Sequence, residues 1–598
     1  AGQLRQHYWK VNDNGSGNPY WSVYNAVQPS KSQRAIAMMS LKYEFLPGLS
    51  IQGRSGFDGT YTNTEWKRNN DTYTNAYYGA FSKTSSNSYE WNNDFLINYN
   101  KNFGEFALDL NAGGNHRLYE SENVSGSGSI FNIENMFALA NTKDPRPGEG
   151  YSKKVVQSFY GFGELSWRNA LFLNITGRND WSSTLPAASR SYFYPSVGLT
   201  AVLSDLMTLP AAFTHFKLRT SYAEVGNDAG AYNLHRSASV SLGTIGLSTS
   251  LPNPNLKPER TRSIEAGLDL RMFNDRGRLS GTWYQTNTYD QLFSTPVPVT
   301  SGVSSVYQNG ADVQNRGVEL TLGAVVVDKR DFSWDIMLNW SKNVSKILEI
   351  AEGFDVLSFG TDFIREYKLV KGEAFGDVYA KGFQRDANGN VIINQANGLP
   401  LITSGMTVKV ANYNPDWLGG LSNTITYKNL SLNALIDARW GGSFISFTEA
   451  ITAGNGILDY TAIGREDGSL LFGRDIFKNE KGVTPEGGAN TKATNAEAFW
   501  NNVGGRNNPA GEAFVRDATN IRLREVILGY NLPKDLVAKT FFSAARVSLV
   551  GRNLFFFMNK AEHSDPEIVN STANTDEGRE AFALPTTRTF GVSLNFDF

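Results

Sequence analysis

The sequence predicts an all-β chain, a transmembrane antiparallel β-barrel with short turns on one rim and long loops on the other. Three observations carry this. The last residues alternate strictly: Phe590, Val592, Leu594, Phe596 and Phe598 fall on one face of an extended strand, and Thr589, Gly591, Ser593, Asn595 and Asp597 on the other. The same alternation recurs along the chain in strand pairs joined by a short link. Short and long connections then alternate. An edge strand of a soluble sandwich would alternate like the closing segment. The loop asymmetry separates the two folds, because bacterial outer-membrane barrels place short turns on the periplasmic side and long loops outside. Phe590, Val592, Leu594, Phe596 and Phe598 are thus expected to form the closing strand and its barrel-assembly signal, with the C-terminus periplasmic.

Residues 1–35 are polar and aromatic (His7-Tyr8-Trp9, Asn12 to Pro19, Tyr20-Trp21) without a clean period, and are expected to be loop. Strand pattern follows, where Met39, Leu41, Tyr43 and Phe45 alternate with Met38, Ser40, Lys42 and Glu44 before the Leu46-Pro47-Gly48 turn. Next, Phe95, Ile97 and Tyr99 are answered across Asn102-Phe103-Gly104-Glu105 by Phe106, Leu108 and Leu110. A third pair spans Phe159 to Arg178 across Arg168-Asn169. Further short links are expected around Asp205 to Thr214, Asn274 to Gly277, Asp328 to Asp331, Lys428-Asn429, and Asn531 to Phe541. Long connections are expected over 56–90, 112–155, 224–262, 286–315, 341–415, 440–518 and 555–586. The clearest strand is Phe332 to Ser341, whose large apolar residues face one way against polar alternates, Met337 excepted; Val318 to Ala324 and Ile264 to Leu270 alternate equally well. The count is about seventeen strands, the last unpaired in sequence. Complete bacterial barrels carry an even number, so an upstream portion with an odd number of strands is expected, on the same chain or a second polypeptide. The chain opens Ala1-Gly2-Gln3 with no initiator Met or signal pattern, as a processed product or a piece of a longer chain would.

Composition bounds the function. Barrels absorb any number of strands, so 598 residues need not mean several domains. A formal net charge of -2 with 19% charged residues argues against nucleic acid or a polybasic anchor. Cys 0 excludes disulfides, thiolate zinc sites and cysteine nucleophiles. No run approaches the roughly 18 to 20 apolar residues of a spanning helix. The aromatic share of 13% suits lipid-interface girdles or ligand-contacting loops. No nucleotide, zinc-protease or serine-hydrolase motif is present, the histidines His7, His116, His215, His235 and His563 are scattered, and Glu466-Asp467 sits among loop residues as solvated charge. No enzyme, catalytic residue or cofactor is expected. Asp386-Ala387-Asn388-Gly389-Asn390 starts like a calcium loop, but Val391 stands where glycine is needed and Asn397 where the closing Glu belongs; an Asn-Gly hairpin turn is expected instead.

An ordered set of motifs runs from residue 177 to the end. It comprises Gly177-Arg178-Asn179-Asp180-Trp181-Ser182-Ser183-Thr184-Leu185-Pro186, Ser191 to Ser196, Asn253-Pro254-Asn255-Leu256-Lys257-Pro258-Glu259, Asn315-Arg316-Gly317-Val318-Glu319 and Asn414-Pro415-Asp416-Trp417. Ile521 to Arg524, Leu528 to Pro533, Gly551-Arg552-Asn553-Leu554 and Asp565-Pro566-Glu567 complete it. The set resembles the SusC/RagA family of TonB-dependent outer-membrane transporters of Bacteroidetes. The resemblance implies a barrel of about twenty-two strands, about five beyond those counted here. It also implies an N-terminal plug and a TonB-contacting segment without counterpart in these residues, and a SusD-like surface lipoprotein capping the long loops. No transport residue carries over, since the plug holds part of the substrate site. Individually, the motifs also have architectural roles: Gly177 and Trp181 ending a strand at the interface, and Asn253-Pro254 and Lys257-Pro258 fixing a loop before the next strand.

Two functions follow from the resemblance. One is import of an oligosaccharide or oligopeptide under the lipoprotein lid; the other is a SusC-like barrel serving as a structural subunit of an outer-membrane assembly or export complex. The 440–518 loop holds Trp440, Phe444, Phe447, Tyr460, Phe472 and Trp500 among Gly, Asn and Thr. Of these, Trp440, Phe444, Tyr460 and Trp500 are the candidates for substrate contact, and the same residues suit docking of the lid.

Overall fold

The computed structural model describes residues 5–6, 17–73, 76–241, 243–351, 353–507, 509–567 and 577–598; His7, Tyr8, Trp9 and the start of the Asn12 to Pro19 stretch lie outside them. Among the described residues, seventeen long strands organise the chain. The first nine are β1 (Ser30–Leu46), β2 (Leu49–Thr72), β3 (Ala76–Phe103), β4 (Phe106–Ser129), β5 (Arg146–Trp167), β6 (Leu171–Ser182), β7 (Ser191–Val202), β8 (Phe213–Asn227) and β9 (Glu259–Met272). The remaining eight are β10 (Gly277–Tyr289), β11 (Asp312–Lys329), β12 (Phe332–Glu349), β13 (Trp417–Tyr427), β14 (Leu430–Trp440), β15 (Asn520–Asn531), β16 (Ala544–Asn559) and β17 (Thr589–Asp597). Among the described residues no helix is long and apolar enough to cross a membrane.

The chain divides into two compact units, the first Ala1–Val197, Glu224–Arg260 and Val297–Gln308, the second Gly198–Ala223, Thr261–Pro296 and Asn309–Phe598. In the first, β1 to β6 pair successively in an antiparallel meander. In the second, β10 to β17 do the same. The residues of β7, β8 and β9 are shared between the two divisions.

The expected short links are where the sequence put them. Gly48 and Gly104 turn at φ 83° and 62°, a region open to glycine. Arg168 and Asn169 hold φ 52° and 53° together, the pair of left-handed residues that a tight hairpin needs. Strands of both units leave rows of large apolar side chains exposed. On β17, Phe590, Val592, Leu594, Phe596 and Phe598 are all exposed, a surface intolerable in water and suited to lipid. The opposite face carries cross-strand ion pairs, with Arg54 against Asp94 and Arg219 against Asp269, each at 2.8 Å.

Two expectations change. Residues 56–90 and 112–155 are largely strand: β2, β3, β4 and β5 run for 24, 28, 24 and 22 residues, against about 9–11 needed to span a membrane. Beyond the apolar band nothing demands hydrophobic alternation, so the ladder continues on polar pairs. Tyr89 and Tyr151 both donate to Glu120 at 2.8 Å, and Arg117 pairs with Glu90 at 2.7 Å. Residues 1–35 are likewise more than loop. A short helix, Pro19–Asn25, is capped by Asn18, Ala26 and Val27 pair with Arg68 and Lys67, and β1 begins at Ser30.

Candidate functional site

The second unit carries a folded module made from three of its long connections, 350–416, 441–519 and 560–588. Unlike the strands, the module has an ordinary water-excluded core, in which Ile364, Val378, Ile393, Ile445, Leu470, Phe499 and Phe514 are buried together. Two helices stand at its centre, α1 (Phe447–Gly454) and α2 (Ala496–Val503), begun by Ser446 and Asn495, whose side-chain oxygens accept the Glu449 and Ala498 N–H at 3.1 and 2.7 Å. Their C-terminal ends touch backbone to backbone. A Cβ on Gly454 would lie 2.4 Å from the Gly505 nitrogen, and the Gly505 N–H donates to the Ala450 carbonyl at 2.7 Å; only glycine permits that approach.

Buried charge locks the three connections to one another. Glu449, 2% exposed, accepts from Arg516 and from the Tyr460 hydroxyl through Oε1, while its Oε2 lies buried without a hydrogen-bond partner. Arg579 and Glu580 run parallel to Ile445 and Ser446. From there Arg579 meets Asp362 at 2.7 Å, and Glu580 accepts from Ser446 and Thr448, both at 2.6 Å. Arg385 reaches Glu480 at 2.7 Å and Glu512 at 2.5 Å. Where the module meets the strands, Glu567 accepts from Arg522 at 2.9 Å and pairs with Arg524. These contacts shift ionisation. Burial, reinforced by Glu449, pushes the Tyr460 phenol up; Lys409 holds Glu373 below the usual carboxylate range while burial raises its neighbour Asp377.

The candidate aromatics fall in and beneath this module. Trp440 lies face to face on Trp417, 5.6 Å between centroids, where β13 and β14 end. Phe444 is buried with Ala518 and Ala561. Tyr460 packs on Trp500 at 5.1 Å and on His563 at 5.8 Å. Trp500 is buried, yet it walls a pocket of about 530 Å³ together with Arg465, Glu497, Asn501 and the glycine-rich end of α1. Phe447 and Phe472 belong to the core. The sequence did not single out Glu449, Arg516 or the pocket's polar wall, because isolated charges in a Gly- and Asn-rich stretch look solvated. Nor did it single out Phe363 and Phe582, two half-exposed rings beside α1: Phe363 stacks on Phe447 at 5.7 Å, and the Phe582 N–H donates to Thr448 at 2.5 Å.

The other motifs are structural at close range. Asp386 takes the N–H groups of Asn388 and Asn390 at 2.9 and 2.8 Å and the Asn390 amide at 2.9 Å; Gly389 turns at φ 83°, and Arg385 bridges to Val391, a closed hairpin turn. Those bonds hold the Asp386 carboxyl low. Trp181 stands at the end of β6 as expected, while Gly177 lies within the strand, where a Cβ would come within 3.1 Å of the Phe193 ring. Residues 253–258 form the irregular entry to β9. At the other end of the chain, Phe596 and Phe598 pack on Phe542 at 4.6 and 5.2 Å.

Comparison with known proteins places this architecture. Residues 2–554 match a family described as TonB dependent receptor-like, beta-barrel. The TonB-dependent receptor P3 of Formosa agariphila is 25% identical across 97% of this chain and 60% of its own length. The TonB-dependent receptor SusC of Bacteroides thetaiotaomicron is 24% identical across 100% of this chain and 60% of its own. Among solved structures, the RagAB peptide transporter shares the fold with a TM-score of 0.79 at 20% identity, covering 99% of this chain and 65% of that one. The chain therefore spans less than two thirds of the length of the relatives it matches.

Proposed function

The chain belongs to the TonB dependent receptor-like β-barrel family, and on that premise we propose that it is the barrel of a SusC-type importer, moving an oligosaccharide or oligopeptide across the outer membrane. The observation that carries this is the module over β12 to β17. Three connections fold into one buried core, far more structure than strands need to be joined, and loops held on a rigid scaffold are where binding resides. In this proposal, half-exposed Phe363 and Phe582 are where a SusD-like lipoprotein lid docks, and the polar wall of Arg465, Glu497 and Asn501 faces substrate, with Trp500 as the edge of that site. Trp440, Phe444 and Tyr460 support the wall from below. Coupling to TonB belongs to the plug and contacting segment of the longer relatives. Phe590 to Phe598 serve as the assembly signal, with the C-terminus on the periplasmic side.

The test is uptake. Deleting the gene should abolish growth on one class of oligomer while leaving its monomers usable, and the purified complex should bind that oligomer and a lipoprotein partner. Unchanged growth on every oligomer, together with general envelope leakage, would replace import with a scaffold role.

A further inference from the structure

A second site lies in the first unit, on the face turned to the membrane. Successive strands β3, β4, β5 and β6 align Asn93 with His116, His116 with Gln157, and Gln157 with Trp181. The Asn93 carbonyl oxygen accepts from the Ser55 hydroxyl at 2.7 Å, which leaves the Asn93 amide N–H groups as the free end. Among the described residues, the His116 ring, the Gln157 amide and the Trp181 indole N–H hydrogen-bond to no other side chain, so the row presents four donor side chains and no fixed positive charge. One row nearer the short turns, Phe95 aligns with Gly114 and Gly114 with Phe159. A Cβ on Gly114 would lie 2.6 Å from the Phe95 ring and 3.2 Å from that of Phe159, so the missing side chain lets both rings lean in over the glycine and form the floor of a shallow slot. Both rings are largely exposed, and Trp181 closes the slot edge-on to Phe159 at 6.0 Å. The resulting groove has about 620 Å³, within the size range of sites that hold one small amphiphile.

Depth identifies the occupant. The aromatic row Phe103, Phe106 and Trp167 marks the short-turn end of these strands, and the donor row lies ten residues along β3. At about 3.3 Å per residue and a strand tilt of about 40°, that is close to the roughly 25 Å apolar band of an outer-membrane barrel. The glycine slot then opens into the outer leaflet's hydrocarbon, and the donors sit at the level of its headgroups. Lys153, farther out on β5, is held by Glu120 at 3.6 Å, so recognition rests on hydrogen bonding to oxygen acceptors.

We propose that this groove holds one outer-leaflet lipid, its acyl chain lying on the Phe95 and Phe159 rings beside Trp181 and its headgroup oxygens on Asn93, His116, Gln157 and Trp181. The site depends on the membrane-facing band alone and is independent of what the barrel transports. To test it, the protein is purified from its own outer membrane in mild detergent, washed with a second detergent, and its retained lipid is measured by native and lipid mass spectrometry. Wild type should keep about one lipid per chain. Gly114→Leu, which drives the Phe95 ring up into the slot, should lower that by about tenfold with heat-modifiability unchanged. The His116→Ala/Gln157→Ala double variant, which leaves the slot intact, should release the lipid faster and change which headgroups are retained. Wild type retaining no lipid beyond free detergent would overturn the proposal, as would equal retention by the folded Gly114→Leu protein or, should that variant not fold, by the double variant.

Discussion

Replacing Phe499 with alanine should loosen the loop module while leaving the strands intact. Phe499 is fully buried in α2, edge-on to Trp500 at 5.1 Å and within 6.2 and 6.4 Å of Phe477 and Phe472. A phenylalanine of about 200 Å² at about 25 cal/mol per Å² is worth at most ~5 kcal/mol of burial. Phe→Ala changes in cores cost about 3–5 kcal/mol once the cavity is included. A loss of about 4 kcal/mol would raise the module's opening equilibrium roughly a thousandfold. Amide exchange read by mass spectrometry on the detergent-solubilised protein measures this. Peptides covering α1 and α2 should exchange faster by that order, while β14 and β15 keep their protection and the band still shifts on heating. Unchanged exchange in both helices would refute a shared core, and an equal rise in the strands would refute a module separable from them.

Glu449→Gln should make the 441–519 connection readily cleaved by protease, because Arg516 and Tyr460 then lose the carboxylate they share; removing one partner of such a buried pair costs about 3–5 kcal/mol, and Glu449→Gln/Arg516→Met should restore part of the resistance. The Tyr460 phenol is held above its ordinary value by burial and Glu449, so its contribution is complete below about pH 10 and is lost as pH rises above it. Protease cleavage within 441–519 should become easier in alkali, and Tyr460→Phe should flatten that dependence. Replacing both Phe596 and Phe598 with Asp should lower the amount of folded barrel in the outer membrane, read as the heat-modifiable band; undiminished abundance would remove the assembly role. Arg385→Ala should free residues 383–393 from Glu480 and Glu512 and show as faster exchange there, with the strands unaffected.

Much of the strand framework could be read from the chain. Wherever one face meets lipid and the other does not, as in Phe332 to Ser341, period-two alternation is forced, and the short links announce themselves through Pro47-Gly48 or Lys428-Asn429. Strand ends were less visible. Once β3 and β4 pass the apolar band, Asn, Ser, Thr and Tyr pair as readily as they would form loop, and nothing in the pattern of 56–90 distinguishes the two. The module was hidden for another reason. Its core draws Ile364, Ile445 and Phe499 from separate connections, so no local period reports it. Phe444 and Trp500 stood out as aromatics in a polar loop, but whether such a ring faces solvent or a core depends on residues far along the chain, Ala518 and Ala561 for Phe444 and Tyr460 for Trp500. The donor row of Asn93, His116, Gln157 and Trp181 depends on register between strands, which a linear reading leaves open.

The short strand Arg579–Glu580 also bears on timing. Ser446, Thr448 and Asp362 find their partners in residues 132 or more positions farther along the chain. A polypeptide made from its N-terminal side onward must keep these groups waiting, wet and unpaired, until residues 579–580 have been supplied. Long-range closures of this kind are slow, because the entropy of the intervening loop is lost before any contact repays it. The loop module therefore closes only after residues 577–582 have emerged. Faults in residues 577–582 should appear far from where they lie in the sequence, as an open module on finished strands.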